Sequence, residues 1–268
     1  MPFVYSEVNG VGFYEVSTWA GARGIFTTRK GGLSQKPFDS LNLGSGGGDD
    51  PGAVSKNRAL LVQALGLGGE IKAVHQVHGS EVYVLKDPKG AKPLKGYDAI
   101  ITALKGVPIG VLTADCVPIL LYDPIKQVVG AVHAGWKGTI DGIPARAVEE
   151  MAASFGSRPS DICAGIGPSI GPCCYEVDDN VVGPLCKSMS GFCEDLISLS
   201  RPGHWQLDLW KTNRRTLLLA GLRPENINVF GVCTSCNTDK FYSHRRSGGS
   251  TGRMFAVTQL LEDVGGKG

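Results

Sequence analysis

VPIGVLTADCVPILLYDPIKQVVGAVHAGWKGTI, residues 107–140, is the stretch on which the reading of the fold turns. Apolar residues fill 107–112, 117–122 and 128–132 with few interruptions, and Asp123-Pro124 separates the second run from the third. Runs this short, bounded by Gly and Asp-Pro turns, read as strands. Together with the run before them they predict successive strands at 99–103, 107–113, 118–122 and 128–133. The clearest amphipathic helix follows at 139–155, with Ile140, Ile143, Ala147, Val148 and Met151 on its apolar face. Pro144 lies inside that span, so the regular helix is expected to begin there.

Working outward, Asp49-Asp50-Pro51 marks a helix start, 53–65 continues at helical spacing and Gly66 ends it. The pattern turns strand-like over 71–85, around Val74, Val77, Val82 and Val84. Further strands are expected at 162–166, 227–233 and 254–260, and helices at 177–189 and 207–222. The first forty-odd residues mix short apolar runs with turns such as Arg29-Lys30-Gly31-Gly32 and the glycine cluster at 44–48, and no element is assigned there. No repeat, linker or shift in composition divides the chain. The alternation of elements predicts one mixed α/β (α+β) domain over residues 1–268, a layered sheet flanked by helices, with strand order unreadable.

A chain of 268 residues can bury a substantial core without staples. Its formal charge of +2, with no polybasic run, gives no electrostatic reason to expect nucleic acid or an anionic membrane as partner. Apolar stretches such as 107–112 and 117–122, with Asp115 between them, are far too short to span a bilayer. The N-terminus lacks the basic and long apolar regions of a signal peptide, so a soluble cytoplasmic protein is expected. Oligomeric state is not readable. The eight cysteines are expected to be reduced, most of them small buried side chains. Cys233-Thr234-Ser235-Cys236 has redox-like spacing but lacks a thioredoxin-like context. Cys116 alone has neighbours that invite a sharper reading.

Each of the five histidines can be weighed separately. His75 and His78 sit in Val74-His75-Gln76-Val77-His78-Gly79; on a regular strand they would face opposite sides. Gly79 lets the backbone bend so that a site can open beside His78. Asp115-Cys116 lies between two apolar runs, where an aspartate is costly to bury without partners. His133 closes the run at 128–132 and opens a glycine-rich turn before a helix, a common place for chemistry. Two histidines and a cysteine at such edges could supply three zinc ligands and leave a fourth position open, the pattern of a catalytic site. The spacing matches no compact zinc motif, and each residue read alone is as well explained as core or strand end.

Several motifs occur in order. They are Leu41-Asn42-Leu43-Gly44, Gln76-Val77-His78-Gly79, Ala114-Asp115-Cys116 and His133-Ala134-Gly135-Trp136-Lys137-Gly138. They continue with the long stretch at 165–176 that holds Cys173-Cys174-Tyr175-Glu176, and with Phe241-Tyr242-Ser243-His244-Arg245-Arg246. As an ordered set spanning nearly the whole chain, they resemble the YfiH-type family. Its members have been called laccase-domain proteins, polyphenol oxidases and peptidoglycan editing factors. The family is associated with zinc-dependent purine nucleoside phosphorylase activity, with side activities on adenosine (deamination) and methylthioadenosine. The resemblance implies metal ligands at His78, Cys116 and His133, with zinc as the ion and copper the alternative. It implies purine nucleosides and phosphate as the molecules bound. His244 stands where the family often has tyrosine, and no metal role is given to it.

Basic side chains at glycine-rich turns, Arg29 with Lys30, Lys137, and Arg246 with Arg245, are the candidates for phosphate, with Arg29, Lys137 and Arg246 foremost. Cys116, His133 and Asp115 are the candidate catalytic residues. Asp115 enters as a proton carrier for deamination, with Glu176 the alternative, because the H-x-E…P-C-x-x-C deaminase signature is missing. Competing readings are a cysteine hydrolase with Cys116 as nucleophile and His133 as base, a copper-dependent polyphenol oxidase, and a non-enzymatic cell-wall editing factor. Multicopper sites consume more histidines than this chain has.

Overall fold

The computed structural model describes residues 2–89 and 95–262. Three strands open the chain, β1 (Phe3–Val8), β2 (Val11–Val16) and β3 (Ala22–Thr27), followed by helix α1 (Pro51–Leu65). Two short strands, β4 (Lys72–Ala73) and β5 (Val82–Val84), lead to the central set β6 (Ala99–Thr102), β7 (Ile109–Thr113), β8 (Val117–Asp123) and β9 (Val128–Ala134). Then come α2 (Trp136–Ile140), α3 (Ile143–Phe155), β10 (Cys163–Ile166), β11 (Glu176–Asp178), α4 (Asp179–Ser188) and α5 (Cys193–Leu196). The chain closes with β12 (Ile197–Arg201), β13 (His204–Leu207), α6 (Leu209–Leu219), β14 (Ile227–Val229), α7 (His244–Ser247) and β15 (Met254–Leu260).

The strands form two six-stranded sheets, ordered β1-β2-β3-β15-β7-β4 and β14-β10-β8-β9-β6-β5, and a small sheet β11-β13-β12. The mixed α/β class holds, but the single layered sheet of the sequence reading becomes several. The side chains show why. In β8, Leu120 and Tyr122 join Val129 and Ala131 of β9 and Ile109 and Val111 of β7 in a core between the large sheets. The alternate residues Ile119, Leu121, Val128 and Val132 point the other way, onto Ile143, Ala147, Val148 and Met151 of α3. On the far side of the first sheet, Phe255 and Val257 of β15 pack with Leu61 and Leu65 of α1. The layers therefore run helix, sheet, sheet, helix. A strand buried on both faces reads as a continuous apolar run whether its second face meets a helix or another sheet, so the sequence could not tell one sheet from two.

Helix ends follow the local chemistry. Asp50 caps α1 by accepting from the Gly52 and Ala53 amides, and Gly66 ends it in the left-handed conformation. The helix expected at 139–155 is two pieces, α2 and α3, separated by Gly142 at φ 75°. Pro144 sits in the first turn of α3, where its missing N–H costs nothing. The strand expected over 71–85 shrinks to β4 and β5, because the residues between them form a loop. The helix expected from 177 begins at Asp179, and the residues just before it pair as β11. The cysteines depart furthest from expectation. Cys186 and Cys193 form a disulfide across the short connection from α4 to α5, with their Cα atoms 4.9 Å apart, well within bridging range. Of the free cysteines only Cys233 is fully buried. Among the described residues no helix is long and apolar enough to cross a membrane.

Candidate metal centre and cleft

Strand register brings the first two candidate ligands together. Antiparallel pairing sets Val117 opposite Ala134 and Pro118 opposite His133, so Cys116, one residue before β8, lies beside the end of β9. The third ligand comes from the loop between β4 and β5. Gln76 ties that loop to β7 with a reciprocal pair, its Nε2 donating to the Leu112 carbonyl and its Oε1 accepting the Leu112 amide, both at 2.8 Å. Two residues on, His78 adopts φ 60°, which turns its ring inward. One donor atom from each of His78, Cys116 and His133 lies within 4.8 Å of the others. The two imidazoles meet edge to face with ring centroids 4.9 Å apart.

Asp98, just ahead of β6 and fully buried, organises this cluster. Its carboxylate accepts the backbone amides of Val77 (3.1 Å), His78 (3.0 Å) and Gly79 (2.7 Å). It also pairs with His133 Nδ1 at 2.8 Å. Burial alone would raise the Asp98 carboxyl; the His133 ring and the Gly79 amide overcome that and hold it below the usual carboxylate range. A proton on His133 Nδ1 leaves Nε2 with its lone pair toward Cys116, the tautomer that a metal ligand needs. Burial would likewise raise the Cys116 thiol, but the imidazoles of His133 and His78 bring it down to about 6. His133, against its own burial, is lifted to about 9 by the Cys116 thiolate and Asp98. One soft sulfur and two ring nitrogens, one of them backed by a carboxylate, are a donor set that suits Zn²⁺. Gly135 is required here by space. A Cβ at that position would stand 3.0 Å from His78 Cδ2 and 3.4 Å from Cys116 Sγ.

The cluster sits in a cleft of about 970 Å³. Its lining includes the apolar and aromatic residues Trp136, Ile170, Tyr175 and Leu209, the basic residues Arg58, Lys72, Arg245 and Arg253, and the glycine stretch 44–47; the Arg245 guanidinium lies over the Tyr175 ring. His75 and His244 also line it without joining the metal cluster. The Arg253 guanidinium loses basicity to burial, partly restored by the negative charges of Cys116 and Asp115.

Of the candidate phosphate residues Arg245 lines the cleft, and Arg29, Lys137 and Arg246 do not. Arg29 faces a separate hollow of about 240 Å³ and is spent on the Asp39 and Thr238 carbonyls, 2.7 and 2.8 Å away, and on the Asp39 carboxylate. Lys137 is exposed on α2 with its ammonium 5.5 Å from the Trp136 ring centre. Arg246 is exposed on α7, and neither it nor Lys137 is among the residues lining the cleft. A basic residue in a glycine-rich turn carries no information on which way its side chain leaves the turn. Asp115 does line the cleft, at φ 87°. Both its oxygens are occupied. Thr234 Oγ1 donates to one at 2.6 Å, and Ser243 Oγ and the Arg245 amide donate to the other at 3.0 and 2.6 Å. These three hydrogen bonds anchor it to the loops that carry Thr234, Ser243 and Arg245.

The sequence reading missed Asp98, although the signal was there: an acid directly before the wholly apolar strand at Ala99, the same sign that drew attention to Asp115. It also missed Arg58, Tyr175 and Arg253, which reach the cleft through tertiary packing alone.

A family model described as multi-copper polyphenol oxidoreductase laccase matches residues 23–261. A protein named purine nucleoside phosphorylase YlmD from Bacillus subtilis (strain 168) is 40% identical over 245 residues, covering 88% of each chain. The crystal structure of YlmD from Geobacillus stearothermophilus superposes with TM-score 0.90 at 37% identity, covering 97% of this chain and 99% of that one. The Bacillus licheniformis hypothetical protein YfiH gives TM-score 0.92 at 34% identity, with the same coverage.

Proposed function

This chain belongs to the laccase-like YfiH/YlmD family, and we propose that it is a zinc-dependent purine nucleoside phosphorylase acting on adenosine, inosine and methylthioadenosine. The observation that carries the reading is the cluster of His78, Cys116 and His133 at a cleft lined by both aromatic and basic residues. Relatives named purine nucleoside phosphorylase support it.

The lining offers surface to each part of the substrate. Trp136 and Tyr175, with Ile170 and Leu209, offer flat apolar surface to a purine ring. Arg58 and Arg253 offer guanidinium forks to phosphate, and the glycines at 44–47 let the anion approach the backbone closely. Phosphate held there attacks the ribose anomeric carbon as the glycosidic C–N bond breaks. The bonding pair leaves with the purine, which takes up a proton, and ribose 1-phosphate is the other product. Tyr175 stays a protonated donor on the purine side, because burial and the Cys116 charge both raise its phenol. Zn²⁺ bound by His78, Cys116 and His133 would supply positive charge for a developing anion and keep one position for water or substrate. Asp98 keeps both histidines aimed, and Asp115 fixes the wall that Arg245 belongs to. Adenosine deamination in the same cleft needs a proton carrier other than Asp115, whose oxygens are engaged.

One observation favours a second reading. Cys116, His133 and Asp98 have the nucleophile, base and orienter relation of a cysteine hydrolase, with the thiol lowered to about 6. His78 argues against it by occupying the flank of the same sulfur. Incubation with inosine and phosphate, with detection of hypoxanthine and ribose 1-phosphate, separates the two. Phosphorolysis that is lost on chelation and restored by Zn²⁺ supports the metal reading; turnover that survives in metal-free protein overturns it. Restoration by copper alone would reassign the ion.

A further inference from the structure

The pairs Cys173-Cys174 and Cys233/Cys236 lie far apart along the chain, yet the four sulfurs all fall within 4.8 Å of one another. Cys236 Sγ is 3.4 Å from Cys174 Sγ and 3.6 Å from Cys173 Sγ. We propose that these four side chains form a second metal centre, a closed tetrathiolate site for Zn²⁺, distinct from the cluster in the cleft. A tetrahedral ion with Zn–S bonds of ~2.3 Å needs its sulfurs ~3.8 Å apart; the two Cys236 separations fall a few tenths of an ångström short of that, and no pair exceeds 4.8 Å. A disulfide needs one pair at ~2.05 Å. Here Cys236 stands almost equally between two partners and bonds to neither, whereas Cys186 and Cys193 of the same chain are joined.

The backbone around the cluster is arranged to present sulfur. The Gly171 carbonyl accepts the amides of Cys174 (3.0 Å) and Tyr175 (3.1 Å), which folds the adjacent cysteines into a tight turn. Asn237 closes the Cys233–Cys236 turn from both ends of its residue, through its amide at 3.2 Å and its Nδ2 at 2.8 Å, both onto the Cys233 carbonyl. The Thr234 amide donates to the Ser169 carbonyl at 3.0 Å and locks one turn against the other. The Gly171 N–H donates to Cys233 Sγ at 3.2 Å, the kind of outer hydrogen bond that stabilises a ligating thiolate. Four thiolates around a divalent ion leave a net charge of about −2, and Arg245 stands alongside, its Nη1 donating to the Glu176 carbonyl at 3.1 Å and its guanidinium over the Tyr175 ring.

Four protein ligands leave no position for substrate, so the role is structural. The two turns that the ion would clamp carry Ile170 and Tyr175 of the cleft wall and Thr234, the partner of Asp115. The ion would therefore hold the wall of the cleft to the sheet that carries Cys116.

Metal analysis of protein purified with a thiol reductant tests this. About two equivalents of zinc per chain are expected, falling to about one in Cys236→Ser and, independently, to about one in Cys116→Ala. Co²⁺-exchanged Cys116→Ala should show the intense sulfur-to-cobalt charge-transfer and tetrahedral ligand-field bands of a thiolate-rich site, and Cys116→Ala combined with Cys173→Ser should lose them. If Cys236→Ser does not fold, the cobalt spectrum of Cys116→Ala decides alone. Zinc content unchanged by Cys236→Ser, no thiolate band in Co²⁺-exchanged Cys116→Ala, or a disulfide from Cys236 to Cys173 or Cys174 in the reduced preparation would each overturn the proposal. Failure of phosphorolysis would not touch it.

Discussion

Two clusters of soft donors stand in this chain on different foundations. His78, Cys116 and His133 are set by sheet register and by one buried carboxylate, so their geometry is inherited from the core. The four cysteines at 173–174 and 233–236 are set by two surface turns that touch through a few hydrogen bonds. In the first, the protein holds the donors whether or not an ion is present; in the second, the ion would hold the protein. Residues supporting the first should therefore tune ligand affinity and turnover, and residues supporting the second should chiefly move stability.

The sharpest way to break the contrast is Cys116→Ala or His133→Ala. Each should lower kcat/KM for inosine phosphorolysis by about 10³-fold or more; Cys116→Ala should shift thermal unfolding little, whereas His133→Ala should also lower it by leaving the buried Asp98 carboxylate without its partner, read by hypoxanthine release and a melting curve. Asp98→Asn comes next. It keeps the shape but loses the charge that orients His133, and should weaken zinc at the cleft by about 10–100-fold in chelator competition. If affinity is unchanged, the sheet alone positions the ligands. Arg253→Ala should raise the KM for phosphate by about 10-fold, worth ~1.4 kcal/mol, while Arg29→Ala, in its separate hollow, should leave that KM within about 2-fold of wild type. Reversal of that order would move the phosphate site to the other hollow.

The smallest effect concerns acid. The Glu176 carboxyl is held at about 2, well below its ordinary value, by hydrogen bonds from Arg201 and Ser200. A depressed carboxylate adds stability that is fully present above its unfolded pKa of ~4.3 and fades as pH falls toward about 2. Glu176→Gln should accordingly be slightly less stable than wild type near neutrality, and the two should converge in acid. A denaturant series at several pH values measures this. The carboxyl is solvent-accessible, so the difference will be modest.

What could be read from the sequence depended on how completely an element was buried. The central strands β6 to β9 are buried along almost their whole length, and their apolar runs marked them to within a residue or two. Helix α1 carried its own start and stop in Asp50 and Gly66. By contrast β1 and β12 are mostly exposed, mixing apolar with polar residues, and nothing in their composition separates them from loop. The cleft divided in the same way. Local motifs pointed to Cys116 and His133 because each ends an apolar strand. Arg58 lies in the middle of α1, where an arginine is ordinary, and only the packing of α1 on the first sheet turns it toward the cleft. Of the four cysteines only the CxxC invites a reading from sequence, as a redox motif, and the CC dipeptide enters only within a longer stretch, because neither pair points to the other until the fold superimposes them.

Asp98 has a consequence for how this protein could change over time. Three consecutive amides and an imidazole converge on one carboxylate, so a drift in either histidine is resisted by the anchor of the other. Substitutions on the surrounding loops can then accumulate and reshape what the cleft admits while the donor atoms stay put. Variation in substrate among homologous proteins should concentrate in the cleft walls, and a laboratory search for new activities would do best to randomise those walls and leave position 98 untouched.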